Sequence, residues 1–392
     1  MKTGWQTKAL GDVCEVMNGG TPKTGVPEYW DGSHLWITPA EMGKRLTPYV
    51  NDTERKITDL GLRDSSARML PSNSVILSSR APIGHLVINT EPMATNQGCK
   101  GLIPVNQLQH KFLYYYLSSI VDLLNSLGTG ATFKELSGGK LKEVTIPVPP
   151  ISEQQRIVGI LDEAFDGIAA AKANAEKNLQ NARALFESYL QSVFNQRGEG
   201  WVEKKLSEVC AITSTLVDPR KDEFLDLIHV GAGNIESQKG AFVELKTARE
   251  EGLISGKFLF DKSMTLYSKI RPYLMKVARP DFSGLCSADM YPLTPLPNQI
   301  TRDYLFHLLL SKPFTDYAIQ GSARAGMPKV NREHLFEFRV WLPAIKKQKE
   351  LAEKLDNLHK ETQRLESIYQ RKLAALEALR KSLLHQAFSG EL

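Results

Sequence analysis

After Pro149-Pro150, apolar or small residues recur in steps of three and four at Ile157, Leu161, Ala164, Ile168, Ala171, Ala175, Leu179, Ala182, Phe186, Tyr189 and Val193. That spacing predicts a helix with one continuous apolar stripe, a heptad seam. Ser152, with Gln155 three residues on, fits a capping-box start, and Gly198 supplies a stop. The pattern returns near the end of the chain at Leu351, Leu355, Leu358, Thr362, Leu365, Tyr369, Lys372, Leu376, Leu379 and Leu383. Its entry, Pro343-Ala344-Ile345-Lys346, has no capping hydroxyl. At 1.5 Å per residue each helix is a rod of roughly 60 Å.

The stretches before the rods read differently. They are rich in Gly, Pro and Asn, with short β-branched and aromatic runs. Leu35-Trp36-Ile37, Val75-Ile76-Leu77, Leu86-Val87-Ile88, Leu225 to Val230 and Phe338 to Leu342 are expected strands. Lys111 to Leu127 and Thr301 to Ile319 are expected helices. Each stretch is then an α+β domain of about 150 residues.

The sequence is written twice. Trp5, Leu10, Val13 and Cys14 match Trp201, Leu206, Val209 and Cys210. Ile146 to Ile151 matches Val340 to Ile345, Gln154 matches Gln348, and Leu161-Asp162 matches Leu355-Asp356. In the middle, Leu77-Ser78-Ser79-Arg80 aligns with Leu266-Tyr267-Ser268-Lys269. The expected organisation is residues 1–150, a first α+β domain; 151–196, a helix; 197–344, a second α+β domain; and 345–392, a second helix.

A leucine stripe cannot stay in water, so each rod needs a partner. Residues 151–196 carry net −2 and residues 345–392 net +3, which favours pairing one rod with the other. Connectivity makes that pair antiparallel. The fold class is α+β: two α+β domains separated by a long antiparallel two-helix coiled coil, with pseudo-two-fold internal repetition. The alternative is two helices packed separately on their own domains.

Composition narrows the function by exclusion. Of 392 residues, 42% are hydrophobic and 24% charged, as in an ordinary globular protein. No run approaches the 18–20 apolar residues of a membrane span, and Met1 to Gln6 has no signal-peptide core. Cys14, Cys99, Cys210 and Cys286 are far apart, consistent with free thiols in a cytoplasmic protein. There is no GxxxxGK[ST], HExxH or GxSxG. Gly231-Ala232-Gly233-Asn234 lacks a third glycine, and Asp218 to Glu223 reads as a charged turn rather than a nuclease cluster. Two related modules on a spacer suit a target with two separated half-sites, and B-form DNA repeats its groove faces about every 34–36 Å.

Several segments in order resemble the specificity subunits of type I restriction–modification systems. They are Gly19-Gly20-Thr21-Pro22-Lys23 to Gly32, Leu35 to Glu41, Ser78-Ser79-Arg80-Ala81-Pro82-Ile83-Gly84, Thr95-Asn96-Gln97-Gly98, Ile146 to Gln154, and Lys381 to Leu392. The second domain departs from this pattern. Asp218 to Ile235 resembles a different subtype of target recognition domain, implying a second half-site of different sequence. The resemblance implies a subunit that reads an asymmetric bipartite site on double-stranded DNA. It docks two adenine-N6 methyltransferase subunits carrying S-adenosylmethionine, and two motor-nuclease subunits using ATP and Mg can join. The subunit itself is non-catalytic and binds no cofactor or metal.

Base edges and phosphates need polar and cationic side chains on accessible loops. The DNA-binding candidates are Thr21, Lys23, Arg80, Asn96, Gln97 and Lys100 in the first domain. In the second they are Arg220, Lys221, Lys269, Arg271, Arg324 and Lys329. A plain surface charge or loop-fixing hydrogen bond is the competing reading for each. Tyr29, Trp30 and Trp36 are expected in the core rather than stacked on bases. A different class of function stays open from residues alone: a coiled-coil scaffold joining two protein-binding modules without DNA contact.

Overall fold

The computed structural model describes residues 4–392 apart from 46, 81, 106, 131–133 and 323–326. It divides into two compact units, residues 1–175 with 371–392, and residues 176–370.

In the first unit the strands are β1 (Gln6–Ala9), β2 (Cys14–Asn18), β3 (Trp30–Ile37), β4 (Tyr49–Val50), β5 (Arg55–Ile57), β6 (Val75–Ser79), β7 (Ile83–Asn89), β8 (Met93–Thr95), β9 (Cys99–Pro104) and β10 (Thr145–Val148). They form a five-stranded sheet in the order β2-β9-β6-β7-β4, a three-stranded sheet β5-β3-β8, and the antiparallel pair β1-β10. That pair closes the domain just before the long helix. Helices α1 (His110–Ser119) and α2 (Val121–Leu127) are separate, with the break at Ile120, where one continuous helix was expected. Phe112, Leu113, Tyr116 and Leu117 of α1 are buried in the core with Leu10, Leu77 and Ile146.

The long helix α3 runs Ile151–Asn195. It starts one residue before the expected cap. The Pro150 carbonyl accepts from the Gln154 amide at 3.0 Å, which leaves Ser152 inside the first turn.

The second unit repeats the plan. Its strands are β11 (Val202–Lys205), β12 (Cys210–Ala211), β13 (Leu216–Val217), β14 (Ile228–Val230), β15 (Lys246–Thr247), β16 (Lys257–Phe260), β17 (Thr265–Ser268), β18 (Val277–Ala278), β19 (Gly284–Cys286), β20 (Met290–Pro295) and β21 (Arg339–Leu342). The sheets are β12-β20-β17-β18, β13-β16-β19-β14-β15, and the closing pair β11-β21. The strand expected from Leu225 begins only at Ile228, because residues 222–224 form a 3-10 turn that Leu225 ends in helical geometry. Helices α4 (Arg302–Leu310) and α5 (Lys312–Gln320) break at Ser311. Pro313 has no amide to continue α4 but fits the first turn of a new helix. The last helix, α6, runs Ile345–Ser389.

Each long helix contributes one half to each unit, and within each unit the two halves run antiparallel. In the first, Arg156 donates to the Leu392 carbonyl at 2.7 Å and Arg380 lies over the Phe165 ring. In the second, Arg183 pairs with Glu366 at 2.7 Å and Phe186 packs on His359. The helices are therefore not isolated on their own domains. Every seam residue expected on α3 is buried or half-buried. On α6 the seam departs after Tyr369. Lys372 and Leu379 are exposed, and Leu373, Leu376, Arg380 and Leu383 take the inward positions. The step from Leu365 through Tyr369 and Leu373 to Leu376 is an eleven-residue repeat inside a heptad pattern.

Candidate nucleic-acid interface

In the first unit the loop after β2 is pressed against the turn between β8 and β9. The Gly19 amide donates to the Cys99 carbonyl at 3.1 Å, and that of Gly20 to Thr95 at 2.8 Å. A Cβ on Gly19 would stand 2.0 Å from the Asn96 carbonyl oxygen, and one on Gly20 2.2 Å from the Ala67 amide. Only glycine allows this approach. Two indoles fasten the same loop. Trp36 Nε1 donates to the Gly20 carbonyl at 2.9 Å, and Trp30 Nε1 to that of Lys23 at 3.3 Å. Both rings are buried and meet edge to face at 5.1 Å, as expected for core residues.

This fastening brings Thr21, Asn96 and Gln97 together. Asn96 Nδ2 donates to Thr21 Oγ1 at 2.9 Å, and Thr21 Oγ1 donates to Gln97 Oε1. Asn96 Oδ1 accepts from the Gly98 amide at 2.8 Å, so its amide is held in one orientation. Lys23 is exposed at the tip of the loop. Arg80 follows β6 directly and forms an ion pair with Glu135, from Nη2 at 2.5 Å and Nε at 3.2 Å. Lys100 on β9 is only 5% exposed. Burial pushes its ammonium down; Glu135 pulls it back up and Arg80 pushes it further down.

The second unit assembles a similar cluster after β17. The Lys269 amide donates to the Asp289 carbonyl at 3.0 Å, and the Val330 amide to the Lys269 carbonyl at 2.8 Å. Asp289 Oδ1 lies 3.3 Å from Lys329 Nζ and 3.8 Å from Lys269 Nζ. Burial, then the neighbouring Lys329, push the Lys269 ammonium down against the pull of Asp289. Arg271 joins through its amide, which donates to Pro328 at 2.9 Å; its backbone is left-handed with φ 49°.

Arg220 and Lys221 are placed elsewhere, after β13 on the other sheet. Arg220 is turned back on its own loop, paired with both oxygens of Asp218. That guanidinium holds the Asp218 carboxyl down at about 2. This is the charged turn expected there. No hydrogen bond or ion pair among the described residues joins Arg220 or Lys221 to the Lys269 cluster. Arg324 and Ala81 lie outside the described residues.

Strand pairing corrects the internal alignment by one residue. Ser78 faces Cys99 and Ser268 faces Met290, while Cys14 faces Pro104 and Cys210 faces Pro295. Lys269 is thus the counterpart of Ser79, not of Arg80. Sequence reasoning also missed Glu135 and Asp289, because nothing in the local sequence marks a lone loop carboxylate as the partner of a distant cation.

The four cysteines are free and buried, and burial pushes each thiol up to about 12. Among the described residues no group of three or more His, Cys, Asp or Glu could hold a metal ion. Among them, too, no helix is long and apolar enough to cross a membrane.

A family model described as the type I restriction modification DNA specificity domain matches twice, over residues 2–180 and 198–374. The chain is 30% identical over 282 residues to the specificity subunit of the type I restriction enzyme MjaIX of Methanocaldococcus jannaschii, covering 68% of this chain and 64% of that protein. It is 26% identical over 421 residues to the EcoDI specificity subunit of Escherichia coli, covering 99% and 88%. Among solved structures, a chain of a type I restriction–modification system studied for complex assembly and conformational transition is similar at TM-score 0.76 and 17% identity, covering 100% and 99%. The HsdS subunit of Thermoanaerobacter tengcongensis is similar at TM-score 0.63 and 18% identity, covering 100% and 98%. These structural likenesses are of fold.

Proposed function

The chain belongs to the type I restriction modification DNA specificity family, and on that premise we propose that it reads an asymmetric bipartite DNA site, one half-site per repeat. In this reading it docks two adenine-N6 methyltransferase subunits that bring S-adenosylmethionine, and motor-nuclease subunits using ATP and Mg can join. The chain is itself non-catalytic, without cofactor or metal, and works in the cytoplasm. Domain limits at residues 150, 196 and 344 go with the same reading.

One observation carries it. At the corresponding junctions of the two repeats, beyond β6 and beyond β17, an exposed cation is ion-paired to a carboxylate, yet the residues that supply the pair differ between the two. Same place and different residues is what two readers of two different half-sites require. Thr21, Asn96 and Gln97 offer hydrogen bonds to base edges. Lys23, Arg80, Arg271 and Lys329 reach phosphates or guanine. Lys100 and Lys269 are too buried to serve except by raising the local potential. Arg220 and Lys221 belong to a separate surface, and Arg324 keeps its candidacy on sequence alone. A scaffold without DNA contact loses support, since the family model matching both halves is a DNA specificity domain.

The test is binding of the chain, assembled with its methyltransferase partner, to duplexes carrying sites found by mapping methylated adenines in cells with and without it. Arg80→Gln is expected to weaken binding through one half-site and Lys329→Gln through the other, with methyltransferase stoichiometry unchanged. Unaltered affinity in both variants contradicts the reading.

A further inference from the structure

The two junctions hold the same charges drawn from different positions. Each pairs an exposed cation with a carboxylate and sets a less exposed cation near that pair. In the first unit these are Arg80, with 46% of its side chain exposed, Lys100 and Glu135. In the second they are Lys329, 51% exposed, Lys269, 14% exposed, and Asp289. Backbone hydrogen bonds fix the equivalence. Ser79 donates to Gly98 as Lys269 donates to Asp289, and Leu136 donates to Ser79 as Val330 donates to Lys269. Glu135 therefore occupies the place of Lys329, and Asp289 that of Gly98. The carboxylate has moved between chain segments while the arrangement of charge has stayed.

We propose that Glu135 and Asp289 are specificity-determining positioning residues, each holding the exposed cation of its junction in an ion pair that DNA must break. This rests on the DNA-reading role proposed above.

A free guanidinium or ammonium at a groove binds any phosphate, and such binding carries no sequence information. Pairing it internally removes that gain. Breaking the pair becomes worthwhile only when base edges also satisfy nearby polar side chains, in the first unit Thr21, Asn96 and Gln97. This is discrimination by an opposed contact rather than an added one. The buried cation is what lets the exchange happen. When Arg80 turns to DNA, Glu135 keeps the field of Lys100. When Lys329 turns away, Asp289 keeps Lys269 at 3.8 Å. Neither carboxylate is left without a counter-charge, which would otherwise oppose the exchange.

The test uses the chain assembled with its methyltransferase partner and two probes: a random-sequence duplex, and one carrying the site recovered by methylation mapping. Glu135→Gln and Asp289→Asn are isosteric, and each sits in a different unit, so one result does not depend on the other variant folding. Each is expected to bind the random duplex roughly tenfold more tightly and to steepen its log–log salt dependence by about 0.9, one additional phosphate neutralised. Affinity for the recovered site should rise less, so the specificity ratio falls, and Glu135→Asp should restore it. A brace that merely supported the loop would weaken binding when removed. Unchanged or weaker binding to the random duplex by both variants overturns the inference while leaving the DNA-reading role intact. Failure of the unaltered assembly to prefer the recovered site overturns the role itself.

Discussion

Gln154 and Gln348 hold the same three backbone partners in the two repeats. Gln154 Nε2 donates to the carbonyls of Pro149 and Gln107, both at 2.8 Å, and its Oε1 accepts from the Gln109 amide at 2.8 Å. Gln348 Nε2 donates to Pro343 and Gln299 at 3.0 Å, and its Oε1 accepts from Thr301 at 2.9 Å. Both side chains are buried. Each ties the first turn of a long helix to the segment that starts the domain helix, α1 or α4, so the strut cannot pivot on its domain.

Gln154→Ala removes three hydrogen bonds, the one to Pro149 buried and those to Gln107 and Gln109 part-buried. The expected loss is about 2–3 kcal/mol of stability. Gln348→Ala should lose a similar amount, and because the two share no partner the losses should add to within about 0.5 kcal/mol. Denaturant unfolding of both single variants and the double checks this; a double no worse than either single would show that the two are not independent anchors.

Gly20 and Gly101 separate two kinds of tight contact. A Cβ at Gly20 meets backbone, 2.2 Å from the Ala67 amide, whereas one at Gly101 meets the tip of the Leu70 side chain at 2.4 Å. Backbone cannot step aside and a leucine rotamer can. Gly20→Ala is expected to cost about 3 kcal/mol and Gly101→Ala about 1 kcal/mol. Only Gly20→Ala should also weaken DNA binding, by moving Thr21 off Asn96. Equal losses of stability in the two alanine variants would contradict the distinction.

On α6, Leu373 and not Lys372 takes the inward position. Lys372→Glu should leave the melting temperature within about 2 °C of the parent, since an exposed charge changes stability by less than about 0.5 kcal/mol. Leu373→Asp should lower stability by about 2 kcal/mol or more, through lost apolar burial and a carboxylate turned inward. A reversed order in thermal unfolding would restore the strict heptad.

That one-residue shift shows where sequence stops being legible. The rods, the repeat and the last strand, β21, could be read because period, prolines and paired motifs are local signals. Leu373 could not be separated from Lys372 because both fit a three-or-four step, and only the facing helix chooses between them. The same holds at the interface. Thr21, Asn96 and Gln97 lie in loops whose glycines advertise close packing, and the structure brings them together. Lys100 was readable as a cation but not as a buried one, since its exposure depends on what β2 and β6 lay over it. Arg220 was readable as a cation but not as the partner of Asp218 two residues back. The register that makes Lys269 the counterpart of Ser79 is set by β17 against β20, across a turn no local pattern encodes.

Asp356 joins Arg279 and His307 in the second unit. It accepts from Arg279 at 2.6 and 2.9 Å and from His307 Nε2 at 2.8 Å. Burial pushes its carboxyl up, but its contacts with His307 and Arg279 outweigh burial and hold it well below the usual range. His307 is fully buried, and burial pushes its imidazole down against the pull of Asp356. Burial lowers His229 and His359 in the same way. A histidine whose folded value is lowered stays neutral in the native state, while the unfolded chain takes up its proton below about pH 6.5, so stability falls as pH drops from there. A lowered carboxyl contributes stability that is complete above about pH 4 and is lost as pH falls further. The second unit should therefore lose stability in two stages, from the histidines first and from Asp356 last. His307→Gln keeps an amide donor beside Asp356 and removes one titration. Between pH 6.5 and 5 its stability should fall less steeply than the parent's, by up to about 1.4 kcal/mol per pH unit, one proton's worth. Denaturant unfolding at pH 5.0, 5.5, 6.0 and 6.5 measures both slopes. If the two are parallel, His307 is already charged in the folded chain and its bond to Asp356 is an ion pair.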